Sequence, residues 1–563
     1  MAAKTGHEKV LEQLRADGIR YIFGNPGSSE EGLLDTLSRF PDIEYILGLQ
    51  ETIALAAADG YCRATQKPTL VQLHVGVGLG NGIGMLYQAY RGHAPLVVIA
   101  GEAGISYDAM NAQMSANLVD MARPVTKFAA RVVHPGSLLR LLRRAIKMAA
   151  TPPTGPVFLG LPQDILDAPN DEPVLPTVFP SSRVVPEPAA IARAAEILCQ
   201  AQNPLILIGD GIARSGAQAE LAQLAEVLGA GVFGVDSSEV NLSETHPLYG
   251  GLTGHMFGHV SARVVGEADV IVICGTYVFP EVFPSLTSPF KPDARLIHID
   301  LDAFEIAKNH PITMGFLSDP KLTLKSLADA VTDLFQPPQW EAAAARGKAL
   351  GEANRKARAE ARARDEQARD AVPLHMSAFA EELARQLPPN AIIFDEVLTH
   401  SDELCRWLPP EVPGQFFQTR GGSLGVGIPG AIGIKLAHPE RPVIGLTGDG
   451  GSMYTIQALW TAAHYNIGAK FVICNNHSYR LLKFNLLDYW REQGLKPQDY
   501  PSSFPSFFDL GGPDLDFVGL ARAMGVSGIR VTQPSEIAPA IQTMLNHEGP
   551  FLIDLVVDGN VPR

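Results

Sequence analysis

Short apolar runs alternate with amphipathic stretches along the whole chain. "TLVQLHV", "PLVVIAGE", "NPLILIGDG", "ADVIVICGT", "ARLIHIDLD", "AIIFDE", "RPVIGLTGDGG", "KFVICNN" and "FLIDLVV" are of strand length and almost continuously hydrophobic. Strands apolar on both faces belong to parallel sheets covered by helices on each side. The pattern therefore predicts an α/β protein of doubly wound parallel sheets. No short repeat is visible, which argues against a solenoid.

Two interruptions divide the pattern. Prolines 173, 176, 180, 186 and 188 punctuate "EPVLPTVFPSSRVVPEP", which reads as an extended linker. Later, "FQPPQWEAAAARGKALGEANRKARAEARARDEQARD" is Ala-rich with interleaved charges, as a solvated connecting helix requires. The expected organisation is a first domain over 1–170, a second over 190–335, a helical connector over 336–372 and a third domain over 373–563.

Composition removes several function classes. A formal charge of −15 opposes nucleic acid as the main partner, because phosphate neutralisation needs clustered Lys and Arg. Hydrophobic residues at 46% and charged residues at 19% describe an ordinary folded protein. The start "MAAKTGHEKVLEQLRADG" has no apolar leader core, and no run approaches the ~20 residues of a membrane span. Cys62, Cys199, Cys274, Cys405 and Cys474 lie far apart without a CxxC pair, which reads as buried thiols in a reducing compartment. A cytoplasmic enzyme is expected, with neither membrane nor nucleic acid as partner.

The candidate chemistry begins in "VIGLTGDGGSMYTIQALWTAAHYNIGAKFVICNNHS". Asp449 ends one strand, and Asn476 ends the next strand 27 residues later, a separation that fits turn, helix and strand. Ligands collect at the carboxyl ends of parallel strands. Gly448, Gly450 and Gly451 allow close backbone approach. Met453, Ile456, Leu459, Trp460 and Ala463 recur at helical spacing, predicting one helix from about Ser452 with its amino end toward an anion. Asp449, Asn476 and a carbonyl near Ser478 are hard oxygen donors suited to Mg²⁺ bridging to a diphosphate. Asx turns at strand ends would explain either half alone. In the middle piece "GDGIARSG" has Arg214 where a dinucleotide fingerprint needs its third glycine, so a structural Rossmann-like domain is expected there.

GDG followed after this interval by NN resembles the thiamin-diphosphate motif. Further segments carry the resemblance: "FGNPGSSE", "ILGLQE", "LHVGVGLGNGIG", "GGSLGVGIPGAIG" and "QALWTAAHYNI". Together they resemble the acetolactate synthase and pyruvate decarboxylase superfamily over essentially the whole chain, and within it the benzoylformate decarboxylases. The resemblance implies pyrimidine-binding, central and diphosphate-binding domains. It implies Glu51 as the carboxyl group on the aminopyrimidine, where burial among apolar residues would strengthen its hydrogen bond. Without the resemblance, such a glutamate is more often a helix-start residue facing the dipole. The match also implies Leu424 as the wedge between the cofactor rings and the Gly422 carbonyl as an acceptor. It assigns Thr399, Gly448, Asp449, Gly450, Gly451, Ser452, Asn476 and Ser478 to the cofactor, with Asp449, Asn476 and Ser478 around the metal. Ser28 would orient a substrate carboxylate and His74 would move protons. The reaction implied is Mg²⁺- and thiamin-diphosphate-dependent decarboxylation of an aromatic or bulky 2-oxo acid. The active sites would lie between subunits of a homodimer, with a homotetramer expected.

Some positions depart from the pattern. Those decarboxylases use a second histidine in the stretch aligned with "YVFPEVFPS", where this chain has Val282. Valine cannot relay a proton, so carboligation to 2-hydroxyketones is expected beside decarboxylation. Gln113 and His400 fall where the related benzaldehyde lyases have an active-site glutamine and tyrosine, and His400 is otherwise a surface histidine. "HSYRLLKFNLLDYWREQG" is bulkier and more charged than expected, placing Arg480, Leu481 and Leu482 near substrate. "YPSSFPSFFDLGGPD" reads as a rim loop.

Overall fold

The computed structural model describes residues 4–562. Three six-stranded sheets, all parallel, account for every strand among them. In spatial order the first runs Glu44–Leu47, Tyr21–Gly24, Thr69–Leu73, Leu96–Glu102, Val157–Pro162 and Phe128–Arg131. The third runs Phe416–Gln418, Ile392–Glu396, Val443–Gly448, Lys470–Asn475, Phe551–Val556 and Ser527–Val531. Numbered within each sheet, both follow the order 2-1-3-4-6-5. The middle sheet instead has the order 3-2-1-4-5-6 of dinucleotide-binding folds, with Pro204–Ile208 and Val270–Cys274 at its centre. The α/β class and its doubly wound sheets are as the hydrophobic pattern predicts.

The outer sheets are fused through two helices of small residues, Glu51–Thr65 and Gly427–Ala437. A Cβ on Gly433 would lie 1.8 Å from the Ala57 carbonyl oxygen, and one on Gly60 2.2 Å from that of Gly430. Only glycine lets the two backbones touch here. The contact joins Ile53, Ala54 and Ala57 to Ile428, Ala431 and Ile432 in one core. The middle sheet keeps a core of its own. Its union with the others is polar: Arg420 donates to Asp210, and Arg63 donates to the carbonyls of Ser238 and Gln418.

Residues 171–187 form the extended segment the prolines predict, and the alanine-rich stretch is a 31-residue helix, Pro337–Gln367. Only Ala343, Gly351 and Asp365 are buried along it. Asp365 fixes its far end by accepting from Arg406 and Trp407. All five cysteines are free, and no helix is long and apolar enough to cross a membrane among the described residues.

Candidate active site

In a 2-1-3-4 sheet, the crevice at the switch in strand order opens between the first and third strands. In the third sheet these are Ile392–Glu396 and Val443–Gly448. Asp449 begins where the latter ends, and Gly448 pairs with Cys474 on the adjacent strand, so Asp449 and Asn475–Asn476 lie side by side. The Asp449 carboxylate is buried and accepts from the backbone N–H groups of Gly450 at 2.8 Å and Ser478 at 3.1 Å. Burial pushes its carboxyl above the ordinary range despite those bonds.

The two asparagines behave differently. Asn475 donates from Nδ2 to Asp554 at 3.1 Å and accepts from the His477 N–H, so it is used up in the fold. Asn476 Oδ1 is buried without any hydrogen-bond partner. A buried amide oxygen left unpaired is costly, and here it stands beside a desolvated carboxylate. That pair fits a hard divalent cation, which would satisfy both oxygens at once.

The expected single helix after Gly451 is not formed. Asp449–Ser452 makes one turn and a helix resumes only at Ala458–His464. Between them the N–H groups of Tyr454, Thr455 and Ala458 bond three residues back, and the Thr455 hydroxyl donates to the Gly425 carbonyl at 2.6 Å. That cross-link to another loop holds the segment in tight turns. An anion here would meet a glycine turn and not the end of a long helix.

Gly421, Gly422 and Gly425 all have φ between +82° and +89°, a region that favours glycine. The half-buried Leu424 sits among them. Glu396, which sequence reasoning missed, organises this loop. Its buried carboxylate accepts from the N–H groups of Gly425, Val426 and Gly427 and from the Thr447 hydroxyl, at 2.8–3.0 Å. The acid ending the strand "AIIFDE" is visible in the sequence, but the N–H groups it holds lie 29–31 positions away and no local pattern marks them.

At the first sheet the corresponding crevice lies beyond Gly24 and Leu73. Glu51 opens its helix, is 8% exposed, and accepts from Asn81 at 3.2 Å. Gly78 and Gly82 make room for it: a Cβ on Gly78 would lie 3.2 Å from the Glu51 carboxylate. His74 precedes helix Val75–Arg91 and presents Nδ1 to Glu30 at 3.0 Å and to the Ser29 hydroxyl at 3.3 Å. Ser28, His74 and Gln113 line one cavity of about 630 Å³, whose other walls include Glu102, Asp108 and Arg131.

His400 is elsewhere. It lies buried in the third domain, with Nδ1 3.4 Å from the Arg480 guanidinium and Nε2 buried without a partner. Burial first, then Arg480 and His375, push it down to about 3, so it is a neutral buried ring and not a surface one. Arg480 also approaches the Thr399 hydroxyl at 3.5 Å, and Leu482 is exposed. The segment 500–512 folds over residues 477–479 through the Phe508 and His477 carbonyls, which places it at the rim of the Asp449 site. Val282 is 55% exposed on a loop of the middle domain.

Models of the thiamine pyrophosphate enzyme N-terminal TPP binding domain, central domain and C-terminal TPP binding domain match residues 4–121, 191–327 and 399–555. The chain is 31% identical over 560 residues to a benzoylformate decarboxylase of Pseudomonas aeruginosa, covering 98% of both. The chain is a thiamine pyrophosphate enzyme. Among other relatives of this enzyme, a probable acetolactate synthase large subunit of Methanocaldococcus jannaschii is 29% identical, with 98% of this chain and 92% of that protein covered. The fold matches a thiamine diphosphate-dependent 4-hydroxybenzoylformate decarboxylase of Rhodococcus jostii RHA1 with a TM-score of 0.84 at 28% identity, over 98% of this chain and 99% of that one. A benzoylformate decarboxylase of Polynucleobacter necessarius matches equally well at 25% identity, over 99% of each chain.

In this thiamine pyrophosphate enzyme the Glu51–His74 set and the Asp449–Asn476 set belong to different sheets. Among the described residues no hydrogen bond or ion pair joins the Glu51–His74 set to the Asp449–Asn476 set. Glu51 packs on the first turns of helix Val75–Arg91, at Gly78 and Gly82, whereas Gln88 near its other end accepts from the Ser423 N–H of the Leu424 loop. Ten residues of helix separate Gly78 from Gln88, about 15 Å.

Proposed function

We propose that this protein is a thiamin-diphosphate- and Mg²⁺-dependent decarboxylase of an aromatic or bulky 2-oxo acid, with carboligase side activity. The observation that carries the reading is the likeness to benzoylformate decarboxylase over 98% of both chains. It is joined to a cavity in which Ser28 and His74 share one wall. When bound, thiamin diphosphate supplies the nucleophile for a 2-oxo carbon and the sink for the electron pair released with CO₂. Asp449, Asn476 Oδ1 and a carbonyl near Ser478 would hold Mg²⁺, and the turn Gly448–Ser452 would receive the diphosphate. Gly422, Leu424 and Thr399 would bound the rings, and the Glu51 carboxyl would donate to the aminopyrimidine ring nitrogen. Ser28 orients the substrate carboxylate, while His74 carries protons to and from the reacting group.

Glu51 and the Leu424 loop lie at opposite ends of one helix, which supports the reading that a second copy of the chain completes each site. Leu49, Val77, Tyr87, Met453 and Tyr454 expose apolar surface near both halves, as an interface between copies requires. A homodimer is the minimum, and a tetramer is proposed. We place the enzyme in the cytoplasm.

One observation favours a second reading, cleavage or formation of 2-hydroxyketones. Gln113 lies in the same cavity as His74, as in a benzaldehyde lyase-like site, and Val282 offers no proton. A panel of aryl, branched and short 2-oxo acids and of hydroxyketones, followed by NMR for CO₂ and carbon products, separates the two. Release of CO₂ and aldehyde from aryl 2-oxo acids is expected. Turnover of hydroxyketones alone would transfer the assignment to the lyase, and acetolactate from pyruvate to a synthase.

A further inference from the structure

We propose that Glu30 is a positioning residue for His74: it fixes the imidazole with the proton on Nδ1, so that Nε2 is the nitrogen that exchanges protons with bound substrate. The proposal rests on the reading of His74 as proton carrier given above.

Glu30 occupies the N-cap of helix Glu31–Leu37, yet its side chain makes no capping bond. It turns away from the helix and is 3% exposed. A buried carboxylate is costly unless its lone pairs are satisfied. Here Oε1 accepts from the Gly101 N–H at 2.8 Å and the Ser29 hydroxyl at 2.9 Å, and Oε2 faces His74 Nδ1 at 3.0 Å. Among the described residues no Lys or Arg pairs with Glu30, and its ion-pair partner is His74. The fold has buried an acid where only the imidazole can supply the remaining donor.

The ring is pinned as well as paired. A Cβ on Gly27 would lie 2.1 Å from both Cγ and Nδ1 of His74, so the Gly27 backbone lies flat against the imidazole. Val75, immediately after it, holds φ +38°, which fixes the direction of the chain at this point. An ionised carboxylate can only accept, so Nδ1 must donate and the neutral ring bears its lone pair on Nε2. Nε2 has no hydrogen-bond partner among the described residues, and the ring lines the cavity with Ser28 and Gln113. When Nε2 takes a proton from substrate, Glu30 faces an imidazolium. When it returns the proton, the Nδ1–H bond to Glu30 is unchanged. One proton moves each way with no rotation of the ring and no other co-reactant.

The test uses full-length holoenzyme labelled with ¹⁵N-histidine, with the His74 signals assigned by their loss in His74→Gln. The wild-type neutral ring is expected with Nδ1 protonated and Nε2 bare. Glu30→Gln keeps size and the acceptor for Gly101 and Ser29 but turns an amide N–H₂ toward Nδ1, which should invert the tautomer. In the same variant kcat should fall about 100-fold or more with KM within about threefold. Glu30→Asp, which keeps an acceptor, should retain the wild-type tautomer and recover most of kcat. An uninverted tautomer in Glu30→Gln overturns the proposal. An inverted tautomer with unchanged kcat overturns its catalytic half. If wild-type enzyme turns over no 2-oxo acid while the tautomers behave as stated, the reaction class fails and the positioning role stands.

Discussion

The first and third sheets share one strand order and open the same crevice, but they furnish it differently. The third sheet offers backbone and fixed oxygens: a glycine turn, an unpaired Asn476 oxygen, and a desolvated Asp449. The first offers side chains that can exchange protons, Glu51 and His74, each held by a neighbour and each made possible by glycines lying against it. Binding a polyanion needs fixed charge and close approach, whereas moving protons needs titratable groups in a set orientation. On the proposed reading, one architecture is used once for each task.

The largest break in that division should come from the proton side. Glu51→Gln is expected to lower turnover of the best 2-oxo acid by about 100- to 10,000-fold, the usual worth of an acid–base group. Fold and cofactor retention should be unchanged, because among the described residues the Glu51 side chain bonds only Asn81. Exchange of the bound cofactor's C2 proton, followed by NMR after transfer to D₂O, should slow in parallel. Wild-type exchange in this variant would remove Glu51 from the cofactor.

On the binding side, Asp449→Ala should weaken retention of Mg²⁺ and diphosphate by at least about 100-fold, since even outer-shell partners of a metal cost 10- to 100-fold. The adjacent asparagines sharpen the point. Asn476→Ala should behave like Asp449→Ala, whereas Asn475→Ala should lower the melting temperature and leave metal affinity alone, because its amide serves Asp554. Isothermal titration with Mg²⁺ and cofactor distinguishes these. Equal losses at 475 and 476 would mean that the unpaired Asn476 oxygen is not a ligand.

The legibility of the sequence follows the same division. Apolar strand runs gave the fold class, because both faces of a parallel strand are buried and the pattern has no other explanation. Asp449 and Asn476 could be found because their spacing is set by one turn–helix–strand unit. Glu30 and Glu396 could not, because each acts across the fold, on His74 44 positions away and on backbone N–H groups 29–31 positions away. No local pattern records such partners. The broken helix after Ser452 has the same origin: its helical periodicity is genuine, but the Thr455 bond to Gly425 is a long-range event.

A smaller effect concerns pH. His400 is pushed from 6.5 down to about 3, so between those values the unfolded chain takes up a proton that the folded chain refuses. Stability contributed at this site is therefore intact above about pH 6.5 and lost progressively as pH falls toward about 3. Asp554, raised to about 6, acts oppositely over part of this range, since its folded form binds the extra proton. The difference between wild type and His400→Gln isolates the histidine. The variant's melting temperature should fall less on acidification than that of the wild type. Parallel curves would show that His400 is hydrated in solution and free to titrate.

The smallest expected effect is at Val282, and it asks what pinning is worth. The loop is fixed by its backbone, with the Val282 N–H donating to the His255 carbonyl at 3.1 Å and the Phe283 N–H to that of Met256 at 2.8 Å. Phe283 stacks on Phe257 at 5.3 Å. The side chain of Val282 itself is 55% exposed. A histidine placed there would have a set position but a free ring, unlike His74, which has a carboxylate on Nδ1 and a glycine against its face. Val282→His should therefore raise the aldehyde-to-hydroxyketone ratio by less than about tenfold, well below the ~100- to 10,000-fold that a well-placed acid supplies. Product ratios measured by NMR at fixed acceptor aldehyde report this directly. A rise of about 100-fold would show that groups beyond this loop orient the new ring as firmly as the proposed Glu30 contact orients His74. No change at all would place this loop outside the proton path, leaving His74 to protonate the product alone.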